Sequence, residues 1–184
     1  MSTTLSFAPD ARPAAEIPLA QLLYADFDAE LAATRRLLER FPDGRGEWRP
    51  HERSRTLAEL ATHLSDLAGR CAVVLTTRER DALGSASRPP LASADALLAA
   101  HDAGVARLRE ALAAADHETL AVEWTIRRGE RVMARGPRRV MLRVMMSHMV
   151  HHRAQLGVCY RLLDVPVPGV YGPSADDLAA GGAA

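Results

Sequence analysis

A long apolar stripe at helical spacing runs through Met141, Val144, Met145, Leu156, Cys159 and Leu163 and takes His148 and His152 with it. Such a pattern describes one amphipathic helix, from Gly136-Pro137 to about Leu163, whose apolar face must be buried against other elements. The two histidines stand four residues apart, which stacks their imidazoles one turn from each other on the face that points inward. A lone core histidine is usually a satisfied structural residue. Two on the same inward stripe each need a hydrogen bond or a ligand, because an unpartnered polar ring in a core is costly. A single shared cation satisfies both.

Three more helical blocks precede this one. The first follows Pro18 and carries Leu19, Leu23, Phe27, Leu31, Thr34, Leu38 and Phe41 before Pro42-Asp43-Gly44 ends it. The second opens on Thr56-Leu57-Ala58-Glu59, the form of a capping box, and buries Leu60, Leu64, Leu67, Cys71 and Val74 or Leu75 before Gly84. Ser87 to Pro90 reads as a linker. The third block begins near Ser93, runs through Leu97, Leu98, His101, Val105, Leu108 and Leu112, and frays around Asp116. Residues Leu120 to Met133 break the helical period: Val122, Trp124 and Ile126 alternate with polar residues and Arg128-Gly129 supplies a turn, as in a hairpin or extended crossover. The expected fold is all-α, a four-helix bundle with a short extended insert before the last helix. Residues 1–17 are expected to be a flexible segment, 18–177 one domain and 178–184 a flexible tail.

Composition narrows the classes. The chain has 184 residues, enough for one domain with a substantial core, and a formal net charge of zero. The first 18 residues lack the basic start and apolar run of a signal peptide, and no apolar stretch is long enough to span a bilayer, so a cytoplasmic protein without a membrane partner is expected. Cys71 and Cys159 both lie in apolar helical patterns, where a free thiol behaves as a small hydrophobe, and no disulfide is expected. There is neither lysine nor asparagine. Those two residues share codons, and their joint absence beside abundant alanine and arginine suggests a GC-rich bacterial genome. Seven arginines at 127, 128, 131, 135, 138, 139 and 143 face the single acid Glu130. A charge run is usually a solvated face, though this one could steer an anion. Nucleic acid is a poor match, because the chain is neutral and shows no helix-turn-helix or stacking signature.

The run His148-x3-His152-Arg153-Ala154-Gln155-Leu156, with His151 beside His152, resembles the His-His-Arg-Gly-Gln-Leu signature of the DinB/YfiT-like family, with alanine in place of glycine. Trp48-Arg49-Pro50 followed by Ser54-x-Thr56-Leu57-Ala58-Glu59-Leu60-x2-His63-Leu64 is similar to that family's second helix and its first metal histidine. The tail from Val165 to Asp177 is similar to the end of one branch of the family. The resemblance covers about residues 19–177. It implies a bundle in which the second and fourth helices are neighbours, and a divalent metal held by His63, His148 and His152. Three imidazoles with one or two waters are the arrangement of a catalytic zinc, while nickel, iron and manganese also suit imidazole. It also implies a homodimer, and a metal-dependent transferase using a low-molecular-weight thiol, or a hydrolase, acting on a small molecule. The alternatives are a metal-stabilised stress-response binding protein without catalysis, or a nucleic-acid module. No catalytic residue can be named. Among the neighbours, Glu59 is explained by its cap, Asp66 as a solvated helix residue and His151 as a flanking ring. Arg153 and Gln155 are read as pins between elements, and Tyr171 as a candidate to fold over the mouth of the site.

Overall fold

The computed structural model describes residues 24–83 and 88–181. The expectations for residues 1–17, Pro18, Leu19 and Leu23, for Gly84 and Ser87, and for the last three residues fall outside that range. Among the described residues the order is α1 (Phe27–Leu38), α2 (Leu57–Thr76), β1 (Glu79–Asp81), α3 (Ala94–Ala113), α4 (His117–Ala121), β2 (Glu123–Arg128), β3 (Arg131–Pro137), α5 (Arg138–Leu162) and α6 (Ala175–Gly181). The fold is mostly helical, but it is not all-α: β1, β2 and β3 form a three-stranded sheet in that order.

Helix α2 is the central element. Thr56 caps it by accepting from the Glu59 backbone N–H at 3.2 Å while the Glu59 carboxylate accepts from the Thr56 N–H at 2.7 Å, so two free donors are satisfied reciprocally. Its buried residues Leu60, Leu64, Leu67, Cys71 and Val74 follow the expected stripe. It packs on α3 and α5, and α1 packs on all three. Where α2 crosses α3, Gly69 and Gly104 meet so closely that a Cβ on Gly104 would lie 2.8 Å from the Gly69 nitrogen. Contrary to expectation α2 stops at Thr76. The Thr76 and Thr77 hydroxyls donate back to the carbonyls of Ala72 and Val73, and the chain then turns extended at Thr77. Residues 79–81 pair in parallel with β2, and Arg127 on β2 bonds both Glu79 and Asp81.

The insert is the antiparallel hairpin β2–β3, turning at Gly129 with φ +60° and bulged between Ile126 and Arg127. Trp124 anchors it to the core, its indole N–H donating to the Thr77 hydroxyl at 3.1 Å. Rather than simply fraying, the chain after α3 forms the short helix α4, capped by Asp116 on the Thr119 N–H at 2.7 Å. Helix α3 begins at its expected cap, Ser93.

The buried face of α5 agrees in part with the sequence reading. Met141, Leu156 and Cys159 are buried as expected, but the buried line also takes Leu142, Met146, Met149, Arg153 and Tyr160, and Val144 is 52% exposed. His148 and His152 precede Met149 and Arg153 by one residue each, which turns them about 100° off that line. They stand half-buried at the rim of the core, not inside it. Arg153 takes the inward position because it has partners there. Its guanidinium meets the Glu30 carboxylate at 2.5 Å, the Glu30 carbonyl at 3.0 Å and the Tyr171 hydroxyl at 2.6 Å.

Candidate metal centre

The cap on α2 fixes where His63 emerges, and the turn spacing of α5 fixes His148 and His152. Because α2 packs on α5, the three rings face one another across that contact. His63 Nε2 lies 3.3 Å from His148 Nε2, which lies 2.7 Å from His152 Nε2. One nitrogen from each ring falls within 4.8 Å of the other two, a set that could hold a metal ion. Ring centroids are 4.5–5.1 Å apart, with His63 edge-on to His152.

Gln155 sets the chemistry of one ligand. Its amide oxygen lies 2.7 Å from His152 Nδ1, and an amide oxygen only accepts, so Nδ1 carries the proton and Nε2 keeps its lone pair toward the cluster. Burial favours the neutral form of all three rings. It pulls His63 down to about 3, helped by the charges of Arg70, His152, Arg55 and His148. His148 falls to about 4, from burial first and then from His152, Arg70, His151 and Arg55. Burial also lowers His152, against the opposing hydrogen bond to Gln155. Neutral imidazoles are what a metal requires. Convergent nitrogens, a fixed tautomer and suppressed protonation therefore fit a divalent cation held by nitrogen.

Two clefts open on this cluster. One, of about 330 Å³, is lined by His63 with Arg55, Glu59, Asp66, Arg70 and Arg88. The other, of about 380 Å³, is lined by His152 and Gln155 with Arg55, Leu60, Val158 and Cys159. Both cysteines are free and buried.

The remaining candidates sort cleanly. His151 is exposed and flanks His152 at 5.0 Å between ring centroids without joining the cluster. Glu59 serves the cap. Asp66 is not merely solvated; it is half-buried and bonds Arg88 at 2.5 Å. Tyr171 has its hydroxyl on Glu30 and Arg153 rather than on the histidines, and so ties the tail to α1 and α5. Four of the seven clustered arginines are held in place: Arg127 by Glu79 and Asp81, Arg135 by Glu123, Arg143 by Asp26, and Arg138 by the Thr77 carbonyl. Sequence reasoning missed Arg55 and Arg70 beside the histidines; Arg70 lies seven residues, about two turns, beyond His63 and so on the same face, a spacing that could have suggested it.

The DinB family model matches residues 1–183. The chain belongs to the DinB family. Two solved DinB-like proteins share the fold. The one from Bacillus subtilis is 18% identical at a TM-score of 0.63, covering 83% of this chain and 98% of its own. The one from Bacillus cereus is 20% identical at 0.64, covering 81% and 95%. No curated protein matches the sequence. None of the described helices is long and apolar enough to cross a membrane.

Proposed function

We propose that this DinB family chain is a metal-dependent enzyme of the cytoplasm in which His63, His148 and His152 hold one divalent cation, zinc being the ion the donor set favours. The reaction we assign is thiol-dependent transfer, or hydrolysis, on a small molecule. The observation that carries the reading is the convergence of three neutral ring nitrogens, one with its tautomer set by Gln155, with His63 lining one cleft and His152 another. A divalent ion held by three neutral ligands supplies Lewis acidity and an open coordination position, which lowers the pKa of a water or thiol nucleophile. The chain's own part is to hold the ligands. The cap fixes His63, the Arg153–Glu30 pair fixes the rotation of α5, and Gln155 fixes the ring of His152. The half-buried position of the histidines suits catalysis, since a reactant must reach them.

A structural staple is the less economical reading. The continuous apolar core from Phe27 through Leu64 and Leu97 to Tyr160 joins α1, α2, α3 and α5 without an ion. We read these four helices as a four-helix bundle carrying the sheet as an appendage. The outer face of α5 carries the exposed Val140, Val144, Val158 and Leu162, which supports a homodimer. The test is a transfer assay with glutathione, bacillithiol and mycothiol against chlorodinitrobenzene. Turnover should require the metal and vanish in His148→Ala. Equal turnover after chelation would overturn the reading.

A further inference from the structure

The clefts differ in a way that specifies what they take. Arg55 lines both, the only residue common to them. Its guanidinium has no hydrogen bond or ion pair among the described residues. On the His63 side it is joined by Arg70, a half-buried guanidinium whose only ion-pair partner among the described residues, Asp66, is 3.8 Å away and is bonded more closely by Arg88 at 2.5 Å. Glu59, the other acid lining that cleft, accepts from the Thr56 N–H and keeps its charge, so the guanidiniums of Arg55, Arg70 and Arg88 outnumber the carboxylates of Glu59 and Asp66 by one. On the His152 side, the walls are mainly apolar: Pro50, Leu60, Val158 and Cys159.

Charge balance sharpens this. The charges that weigh most on His63 and His148 are cationic, from Arg55, Arg70 and the other histidines. The cluster itself contains no carboxylate. An ion bound there by neutral ligands keeps its full double charge, which adds to the one positive charge by which the cleft's guanidiniums exceed its carboxylates. Such a field strongly favours an anion, and guanidiniums match the planar, two-oxygen geometry of carboxylate or phosphate. We infer that the ligand of this site is an amphiphilic organic anion, whose carboxylate or phosphate docks on Arg55 and Arg70 beside His63 while its apolar part lies along Pro50 and Leu60 beside His152. This rests on the metal-site reading above, and it adds the substrate class.

The test compares two probes of equal length, 6-mercaptohexanoate and 6-mercaptohexanol, by calorimetric titration of zinc-loaded and metal-free protein. The wild type should prefer the anion by about tenfold or more, and the preference should shrink as salt rises. Arg55→Gln alone should lower it and Arg55→Gln with Arg70→Gln should abolish it, while Arg109→Gln, on the far α1–α3 surface against Asp28, should leave it intact. Arg55 is exposed, so its variant keeps the fold. No preference in either form of the wild type, or a preference that survives the double substitution, overturns the inference. Arginine-dependent preference in a protein that takes up no zinc would support the anion site and defeat the metal reading separately. Inorganic phosphate competing with the anionic probe would favour a phosphate ligand, and benzoate competing would favour a carboxylate.

Discussion

Replacing Arg153 with methionine removes the charge that sits deepest in the described structure. The guanidinium side chain is 3% exposed and its Glu30 partner 11%. Without it Glu30 keeps only the Tyr171 hydroxyl, at 2.9 and 3.0 Å, and the Glu30 carbonyl loses a donor at 3.0 Å. Breaking one side of a buried pair costs about 3–5 kcal/mol, because the other charge stays buried and uncompensated. For a chain of this size about 1 kcal/mol moves the melting temperature by about 2–4 °C, so a fall of about 6–20 °C is expected. The double variant Arg153→Met with Glu30→Gln removes both charges and should recover most of the loss, since a neutral replacement of a whole buried pair is often harmless. The assay is urea unfolding followed by circular dichroism, with thermal melts alongside. A loss below about 1 kcal/mol in the single variant, or a double variant no better than the single, would refute the reasoning.

Other outcomes follow from the same geometry. Gln155→Ala should weaken zinc binding about 10–100-fold without removing the site, as seen by competition with a chromophoric chelator, because it frees the His152 ring without touching a ligand nitrogen. In metal-free protein, His63 and His148 resist protonation to about 3 and 4, whereas in the unfolded chain they take protons near 6.5. Stability should therefore be fullest above about pH 6.5 and fall as pH drops toward those values, with a shallower fall in His63→Gln when the urea midpoint is followed with pH. Thr56→Ala should cost about 1 kcal/mol or somewhat more by urea unfolding, since the Glu59 N–H loses its acceptor. Val144→Glu with Val158→Glu should leave a particle of about 20 kDa in light scattering where the parent gives twice that.

Much of this was legible in the sequence because helices announce themselves by period. The capping box at Thr56, the cap at Ser93 and the hairpin about Gly129 all appear at their expected places. Strand β1 did not, because Glu79-Arg80-Asp81 carries no apolar alternation; its pairing depends on β2, forty residues on, and on Arg127. The rotation of α5 was legible only in part, for a related reason. Apolar spacing placed Met141, Leu156 and Cys159 inside correctly but put Val144 inside as well, and it could not show how deeply Arg153, read as a pin between elements, is buried, because its partners Glu30 and Tyr171 are remote in sequence. Arg55 and Arg70 fall silent among so many arginines. Their lack of close carboxylate partners becomes visible only when α2 is set beside α5.

The central claim is tested most directly by metal content. Protein loaded with zinc, dialysed extensively and measured by elemental analysis should hold one ion per chain in the wild type and in His151→Ala, and lose most of it in His63→Ala, His148→Ala and His152→Ala. Full retention in His148→Ala, or a wild type that keeps no zinc, would contradict the account.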